Sequence, residues 1–110
     1  MRRYTTPEDT FVIAGVDLTG CDVVVSYRQL IGHSTNAHQL DIDDPEVSFD
    51  GTDTTLTVRL TQEQTGGFQA GQCMVQVNWI DADGVREATE IATARVPDNL
   101  LRAVMTYGGQ

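Results

Sequence analysis

The strongest constraint on the fold of this chain is an alternation of side chains in its second half. A period of two residues is that of a β-strand, whose successive side chains point to opposite faces of a sheet. We therefore predict a strand with one buried face. The side chains predicted to point inward are Cys73, Val75, Val77 and Trp79. Those predicted to point outward are Met74, Gln76, Asn78 and Ile80.

A turn signal follows this strand. Asp83-Gly84 favours a two-residue type I′ hairpin, because Gly adopts positive φ freely and Asp tolerates it. With Ala82 opposite Val85, large inward residues meet small ones across the strand pair. A loop one residue longer would shift this register. The predicted partners are Trp79 with Ala88, Val77 with Glu90, Val75 with Ala92 and Cys73 with Ala94.

Glu90 is the exception in this register, because it would be a charged side chain on the inward face. Two interpretations are open. Glu90 reaches the rim of the sheet, or a bulge in residues 89–91 turns it outward and brings Ile91 inward.

The segment before the alternating strand predicts a short capped turn. Thr61 and Gln64 have the spacing of a capping box. Gly66-Gly67 is expected to end the turn, and Phe68 is then placed to fill one end of a core.

Further strands are predicted over residues 10–14, 21–29, 39–42, 46–49 and 54–60. Together they indicate an all-β fold, an immunoglobulin-like antiparallel β-sandwich of six to seven strands, with an open barrel of the same strands as the alternative. We assign residues 1–9 to a loose N-terminal arm, residues 10–96 to the sandwich, and residues 97–110 to a C-terminal segment. Leu18, between the first two strands, is expected to tuck inward. The other inward residues are Phe11, Ile13, Cys21, Val23, Val25, Tyr27, Phe49, Leu56, Val58 and Leu60.

The C-terminal segment carries an apolar pattern of period near four, which predicts a short helix with one apolar stripe. Such a helix is too short to form alone in water, so it must dock on the sandwich or on a neighbouring subunit. These residues are the candidate partner-binding residues of the chain: Leu100, Leu101, Val104 and Met105.

The charge of the chain excludes some partners. Sixteen acidic residues against seven basic ones give a formal net charge of −9. An acidic surface repels phosphate backbones and anionic lipids, so we expect neither nucleic-acid nor membrane binding. Arg2-Arg3 is not followed by an apolar run, and no stretch approaches the roughly 18 apolar residues of a membrane span. We therefore expect the protein to stay in the cytoplasm unless another protein carries it out.

Catalytic, cofactor-binding and metal-binding residues are not predicted. An enzyme would depend on His33 and His38, which lie in a polar segment with Ser34, Thr35 and Asp41. The acidic corner of residues 41–46 offers oxygen ligands for Ca²⁺ but lacks the Gly and the distal Glu of an EF-hand loop, and a solvated turn is favoured. Cys21 and Cys73 both point inward on the predicted alternation. A bridge between sheets is conceivable, but two free thiols are favoured in the absence of an export signal.

Several turn and core residues carry a resemblance to a known family. They are Leu60, Thr61, Glu63, Thr65, Phe68, Gly71, Gln76, Asp83 and Gly84. Across residues 10–96 the chain resembles small proteins in the structural modules of tailed phages and prophages, and is similar in layout to the N-terminal immunoglobulin-like domain of baseplate upper proteins. It ends shortly after the sandwich, so a small accessory piece of a head, connector or tail is equally compatible.

The resemblance implies a non-enzymatic phage structural or accessory protein. It would act as a protein–protein adaptor in the tail, baseplate or head–tail region, with other phage structural proteins or its own copies as partners, first in the host cytoplasm and then in the virion. The alternatives are a carbohydrate-binding β-sandwich module and a phage assembly factor. Exposed aromatic residues, which sugar sites favour, are expected mainly at Tyr4 and Tyr107.

Overall fold

The computed structural model describes residues 1–30 and 37–108, which form an all-β sandwich of two antiparallel sheets. The elements in chain order are β1 (Glu8–Ile13), β2 (Asp22–Leu30), β3 (Ala37–Ile42), β4 (Glu46–Phe49), β5 (Thr54–Arg59), α1 (Gln62–Gly66), β6 (Gly71–Ile80), β7 (Arg86–Ala88) and β8 (Ala92–Val96). The smaller sheet has the order β1-β5-β4. The larger has the order β3-β2-β6, with β7 and β8 following one another along the free side of β6.

This strand order is that of an immunoglobulin-like sandwich. The smaller sheet corresponds to strands B, E and D of such domains, and the larger to C′, C, F and G. The predicted fold class is confirmed, and the separation into two sheets argues against an open barrel. There are eight strands rather than six or seven because the last predicted strand is divided into β7 and β8.

Tyr27 connects the two sheets at the centre of the core. Its side chain on β2 is 1% exposed, and its hydroxyl donates a hydrogen bond of 2.7 Å to Asp9 Oδ2 on β1. The rings of Phe11 and Phe68 lie edge-on to it, with centroids 6.4 and 6.3 Å away. Full burial of each such side chain contributes about 1.5–3 kcal/mol. The other buried apolar residues are Leu18, Val23, Val25, Ile42, Leu56, Val58, Leu60, Cys73, Val75, Val77 and Val96.

The hairpin between β6 and β7 differs from the prediction. The Asp81 amide donates to Val85 O at 3.1 Å, so the loop holds three residues rather than two. Only Gly84 in this loop has positive φ, at 83°, which rules out the predicted type I′ turn. The Asp81 carboxylate accepts from the amides of Asp83 (2.9 Å) and Val85 (3.0 Å) and so stabilises the longer loop. Trp79 consequently pairs with Glu87.

A bulge then restores the predicted register. Cys73 pairs with Ala94 and Val75 with Ala92, as expected. Between the two registers, residues 89–91 lie opposite residues 76–77, which leaves one residue in excess. Glu90 is turned out to solvent, as the bulge interpretation predicted. Ile91 is not brought inward and remains 60% exposed.

The capping box that begins α1 is confirmed. The Gln64 amide donates to Thr61 Oγ1 at 3.2 Å, and the Thr61 amide donates to Gln64 Oε1 at 2.8 Å. The helix ends at Gly66, as Gly66-Gly67 predicted, and Gly66 also has a role that the sequence did not indicate. The residue after it has ordinary helical angles, but a Cβ on Gly66 would lie 2.4 Å from Cε1 of Tyr4. This glycine leaves room for the aromatic ring, which would have to shift if a Cβ were present.

The N-terminal segment, predicted to be a loose arm, packs against α1. The Thr5 amide donates to Thr65 Oγ1 at 3.0 Å, and that hydroxyl lies 2.9 Å from Thr5 O. Further along, the Leu60 amide donates to Pro7 O at 3.1 Å. Thr65 is fully buried by these contacts.

The helix predicted in the C-terminal segment is not formed in residues 97–108, which contain neither helix nor strand. Its apolar side chains remain exposed. Without a surface covering an apolar stripe, so short a helix lacks the packing that would stabilise it. The sequence also predicts a frayed end at residues 108–110, of which residues 109–110 lie outside the described residues.

We predict that Tyr27 makes the fold sensitive to alkaline pH. Burial, and then its hydrogen bond to Asp9, raise the pKa of Tyr27. The folded state therefore keeps the neutral phenol while the unfolded chain ionises near pH 10. The stabilisation is complete below about pH 10 and is lost as the pH rises beyond it.

Urea denaturation between pH 8 and pH 11 measures this effect. Tyr27→Phe should reduce the free energy of unfolding by about 1–2 kcal/mol at pH 8 and flatten its fall above pH 10. Burial also raises the pKa of the Cys73 thiol, which should leave a residual slope. Tyr107→Phe, at a fully exposed position, is the control. An unchanged slope in Tyr27→Phe would contradict the assignment.

We also predict coupling between Gly66 and Tyr4. Gly66→Ala should destabilise the fold by about 1–3 kcal/mol because the new methyl group collides with the ring. In a Tyr4→Ala background the same change should be neutral or favourable, since Ala has the higher helix propensity. A double-mutant cycle of melting temperatures and unfolding free energies measures the coupling. Equal costs in both backgrounds would disprove the steric explanation.

Candidate functional site

The first candidate surface is the apolar strip formed by Leu100, Leu101, Val104 and Met105. All four side chains are exposed, with Leu101 at 53%, Val104 at 47% and Met105 at 65%. Tyr107, two residues further on, is fully exposed. Scattered exposed apolar residues are normal, but a contiguous group of them is typical of an interaction site. The structure thus leaves the predicted partner-binding residues exposed along one irregular segment, without the predicted helix.

The backbone of this strip is held by α1. Gln62 Nε2 donates to Met105 O at 2.8 Å, and Gln62 Oε1 accepts from the Met105 amide at 2.7 Å. The backbone amide and carbonyl of Met105 are therefore both bonded to the side chain of Gln62. The apolar side chains point to solvent on a backbone that is already positioned.

An ionic group holds the start of the segment. Asp98 Oδ2 accepts from Arg102 Nη2 at 2.6 Å, and Asp98 Oδ1 accepts from Arg3 Nη1 at 3.2 Å. The hydrogen bonds from Arg102, from the Asn99 amide and from Arg3 hold the pKa of Asp98 below its ordinary value. Because these bonds favour the ionised carboxylate of Asp98, its contacts with Arg102 and Arg3 are present at neutral pH and are lost only in acid.

The second candidate surface is a groove on the outer face of the larger sheet, which we call the sheet groove. It has a volume of about 650 Å³, within the range of small-ligand sites. Sequence analysis placed eight of these side chains on outward faces and Val75 and Trp79 on the inward face, and it gave no signal that they border a groove. They are Asp22, Val24, Ser26, Arg28, Gln39, Asp41, Met74, Val75, Gln76, Asn78, Trp79, Ile80, Arg86 and Ile91.

Strand register arranges these residues in rows across the sheet. One row is entirely polar, because Asp41 pairs with Ser26 and Ser26 pairs with Gln76. The Ser26 hydroxyl donates to Asp41 Oδ1 at 2.6 Å, and Gln39 Nε2 donates to the same oxygen at 3.0 Å. These bonds fix the orientation of Asp41 on the groove floor.

The bulge shapes the opposite rim of the groove. Gln76 Nε2 donates to Thr89 O at 2.9 Å, and Arg86 Nη2 donates to Asn78 Oδ1 at 3.1 Å. Ile91, which the bulge leaves outside the core, lines the groove. An irregularity in the strand thus supplies an apolar side chain to the rim, a use typical of bulges near functional sites.

The charges of the sheet groove are balanced. Asp22 and Asp41 face Arg28 and Arg86, in a chain with a net charge of −9. Among the described residues, the side chains of Asp22 and Arg28 make no hydrogen bond or ion pair. The groove is therefore an electrically neutral area, with both donors and acceptors available, on an acidic molecule.

The outer face of the smaller sheet carries a cross-strand ion group. Arg59 on β5 lies 3.3 Å from Glu8 on β1 and 2.8 Å from Glu46 on β4. All three side chains are more than half exposed, so each pair contributes little to stability.

The residues considered for catalysis and metal binding are not gathered into a site in the part of the chain that the structure describes. His33, Ser34 and Thr35 lie outside the described residues. The His38 ring packs edge-on to Phe68, with centroids 4.6 Å apart. Within residues 1–30 and 37–108, His, Cys, Asp and Glu form no group of three that would hold a metal ion. Cys21 and Cys73 are free thiols, as favoured from the sequence.

The comparisons with known proteins give no assignment. Neither a family model, nor a curated protein, nor a solved structure matches this chain. No helix in the described residues is long and apolar enough to cross a membrane. The similarity to baseplate upper proteins therefore stays a prediction from the sequence.

We predict that Gln62 positions the apolar strip. Gln62→Ala should remove both bonds to Met105 and speed amide hydrogen exchange in residues 101–107 at least severalfold. Limited proteolysis of the same residues should also become faster. Glu63→Gln, in the same helix but with no side-chain bond to the strip in the structure, is the control. Unchanged exchange in Gln62→Ala would show that the strip is held by other contacts.

Proposed function

We propose that this protein is a non-enzymatic adaptor that joins other proteins through its C-terminal apolar strip. The main support is the exposure of the strip residues Leu100, Leu101, Val104 and Met105. Hydrogen bonds with Gln62 and Asp98 hold the backbone of this segment. A partner that covered these side chains would remove their apolar surface from water, at about 25 cal/mol per Å².

Anchoring of the strip favours this function. Association is opposed by the ordering of flexible segments at the interface. Here the bonds of Met105 to Gln62, and of Asp98 to Arg3 and Arg102, restrict the segment before a partner arrives. Binding therefore costs less conformational entropy than it would for a free tail.

The setting that we propose is a phage or prophage particle, in the tail, baseplate or head–tail region. Its support is the sequence resemblance of residues 10–96 to structural modules of tailed phages. The partners would be other phage structural proteins or further copies of this chain. Open edges of the sheets, at β1, β4 and β3, offer backbone groups for additional pairing. A factor that acts in assembly without entering the particle is the second candidate.

Co-purification tests the role of the strip. A variant with Leu100→Ser, Leu101→Ser, Val104→Ser and Met105→Ser should lose partner binding, or self-association, by at least tenfold while its melting temperature stays close to that of the wild type. Val12→Ser, at a position 61% exposed on β1, is the matched control and should bind normally. Full binding by the fourfold variant would contradict the proposal.

Mass spectrometry of purified particles tests the setting. We expect peptides such as residues 87–95 at a fixed ratio to the major capsid or tail proteins. Absence from intact particles, with abundant protein in the lysate, would favour the assembly factor.

A further inference from the structure

We propose that the sheet groove is a second binding site, and that it binds a neutral oligosaccharide. This inference does not depend on the adaptor function, because the groove lies on the outer face of the larger sheet and contains no residue of the C-terminal strip. It depends on three properties of the groove: its charge, its hydrogen-bonding groups and the apolar side chains between them.

Charge balance argues for an uncharged ligand. The groove contains two aspartates and two arginines. The whole chain carries 16 acidic residues against seven arginines, so the surface outside the groove has 14 acidic residues and five arginines. The acidic surface outside the groove would repel a polyanion. It would also attract a cation more strongly than the groove does. A neutral polar molecule meets no net repulsion where the charges cancel.

The groove offers donors and acceptors in alternation, which suits hydroxyl groups that both donate and accept. The guanidinium of Arg28 and the carboxylate of Asp22 have no side-chain partner among the described residues. Asn78 accepts from Arg86 through Oδ1, which leaves its amide NH₂ as a donor. Gln76 donates to Thr89, which leaves its carbonyl oxygen as an acceptor.

Apolar side chains separate these polar groups. Val24 lies beside Asn78 across the strands, and Met74 lies beside Arg28. Ile80 and Ile91 complete the apolar part of the lining. A sugar ring presents C–H groups on its faces and hydroxyls at its rim, and a lining of this mixed kind matches both. Within each row, adjacent strands place neighbouring side chains about 4.8 Å apart.

A neutral peptide is the competing ligand, and the location of the site disfavours it. Extended peptides are recognised chiefly through their backbone at the edge of a sheet. The groove lies instead across the face of β2 and β6, whose backbone groups are already paired with neighbouring strands. Side chains alone therefore provide its contacts.

Tryptophan fluorescence gives a test, because the one tryptophan of the chain, Trp79, borders the groove while it packs partly against the core beneath it. The full chain is titrated with neutral hexasaccharides of glucose, mannose, galactose and N-acetylglucosamine. We expect at least one of them to change the emission saturably. In ¹⁵N-labelled protein it should shift amide resonances in β2 and β6 and leave those of β1 and β5 unchanged. Shifts confined to other regions, or no saturable change up to millimolar sugar, would overturn the proposal.

Variants locate the site. Arg28→Ala and Asn78→Ala should each weaken binding of the active sugar at least tenfold, and the fourfold variant of the C-terminal strip should bind it normally. Thr57→Ala, on the outer face of the smaller sheet, is the matched control. If a substitution in the groove lowers the melting temperature, Arg28→Lys and Asn78→Asp replace it. Unchanged sugar affinity in folded groove variants, or binding of neutral peptides in place of every sugar, would also overturn the proposal.

Discussion

The burial of Tyr27 between the sheets is the interaction on which the rest of the structure depends. Its ring meets Phe11 from the smaller sheet and Phe68 from the segment after α1, and its hydroxyl is bonded to Asp9. One side chain therefore joins two sheets and the loop that closes their end. Phe68 is in turn covered by His38 on the edge strand β3. A buried hydroxyl without a partner is costly, so the Asp9 bond also fixes how β1 lies over β2.

Both candidate surfaces follow from features that do not serve the core. The apolar strip extends beyond β8, where the sandwich is already filled, so its side chains have no inner surface to cover. The groove forms where β6 changes register between β7 and β8, and the bulge directs Ile91 toward the outside. The side chains of the apolar strip and of Ile91 are therefore exposed although folding alone does not require it. Such groups are more readily explained by a partner or ligand than by stability.

Much of the architecture was predictable because it depends on local periodicity. The alternating residues of β2, β5 and β6 are buried as expected, and the capping box of α1 forms with both of its hydrogen bonds. The predictions that depended on a single turn or on distant contacts were less accurate. The Asp83-Gly84 signal located the hairpin but not its length, because the Asp81 side chain stabilises a three-residue loop. The C-terminal stripe predicted a helix, whose formation depends on a covering surface that this fold does not supply.

The sequence by itself determined the all-β class and most of the inward faces, since these depend on residue types at fixed spacing. The tertiary structure decided which strands are neighbours, and with them the rows of the groove, because pairing across a sheet joins residues far apart in the chain. It also decided that Gly66 leaves room for the ring of Tyr4 and that the N-terminal segment is bonded to α1 and Asp98. Those contacts join the first residues of the chain to residues sixty or more positions away, and no local pattern encodes them.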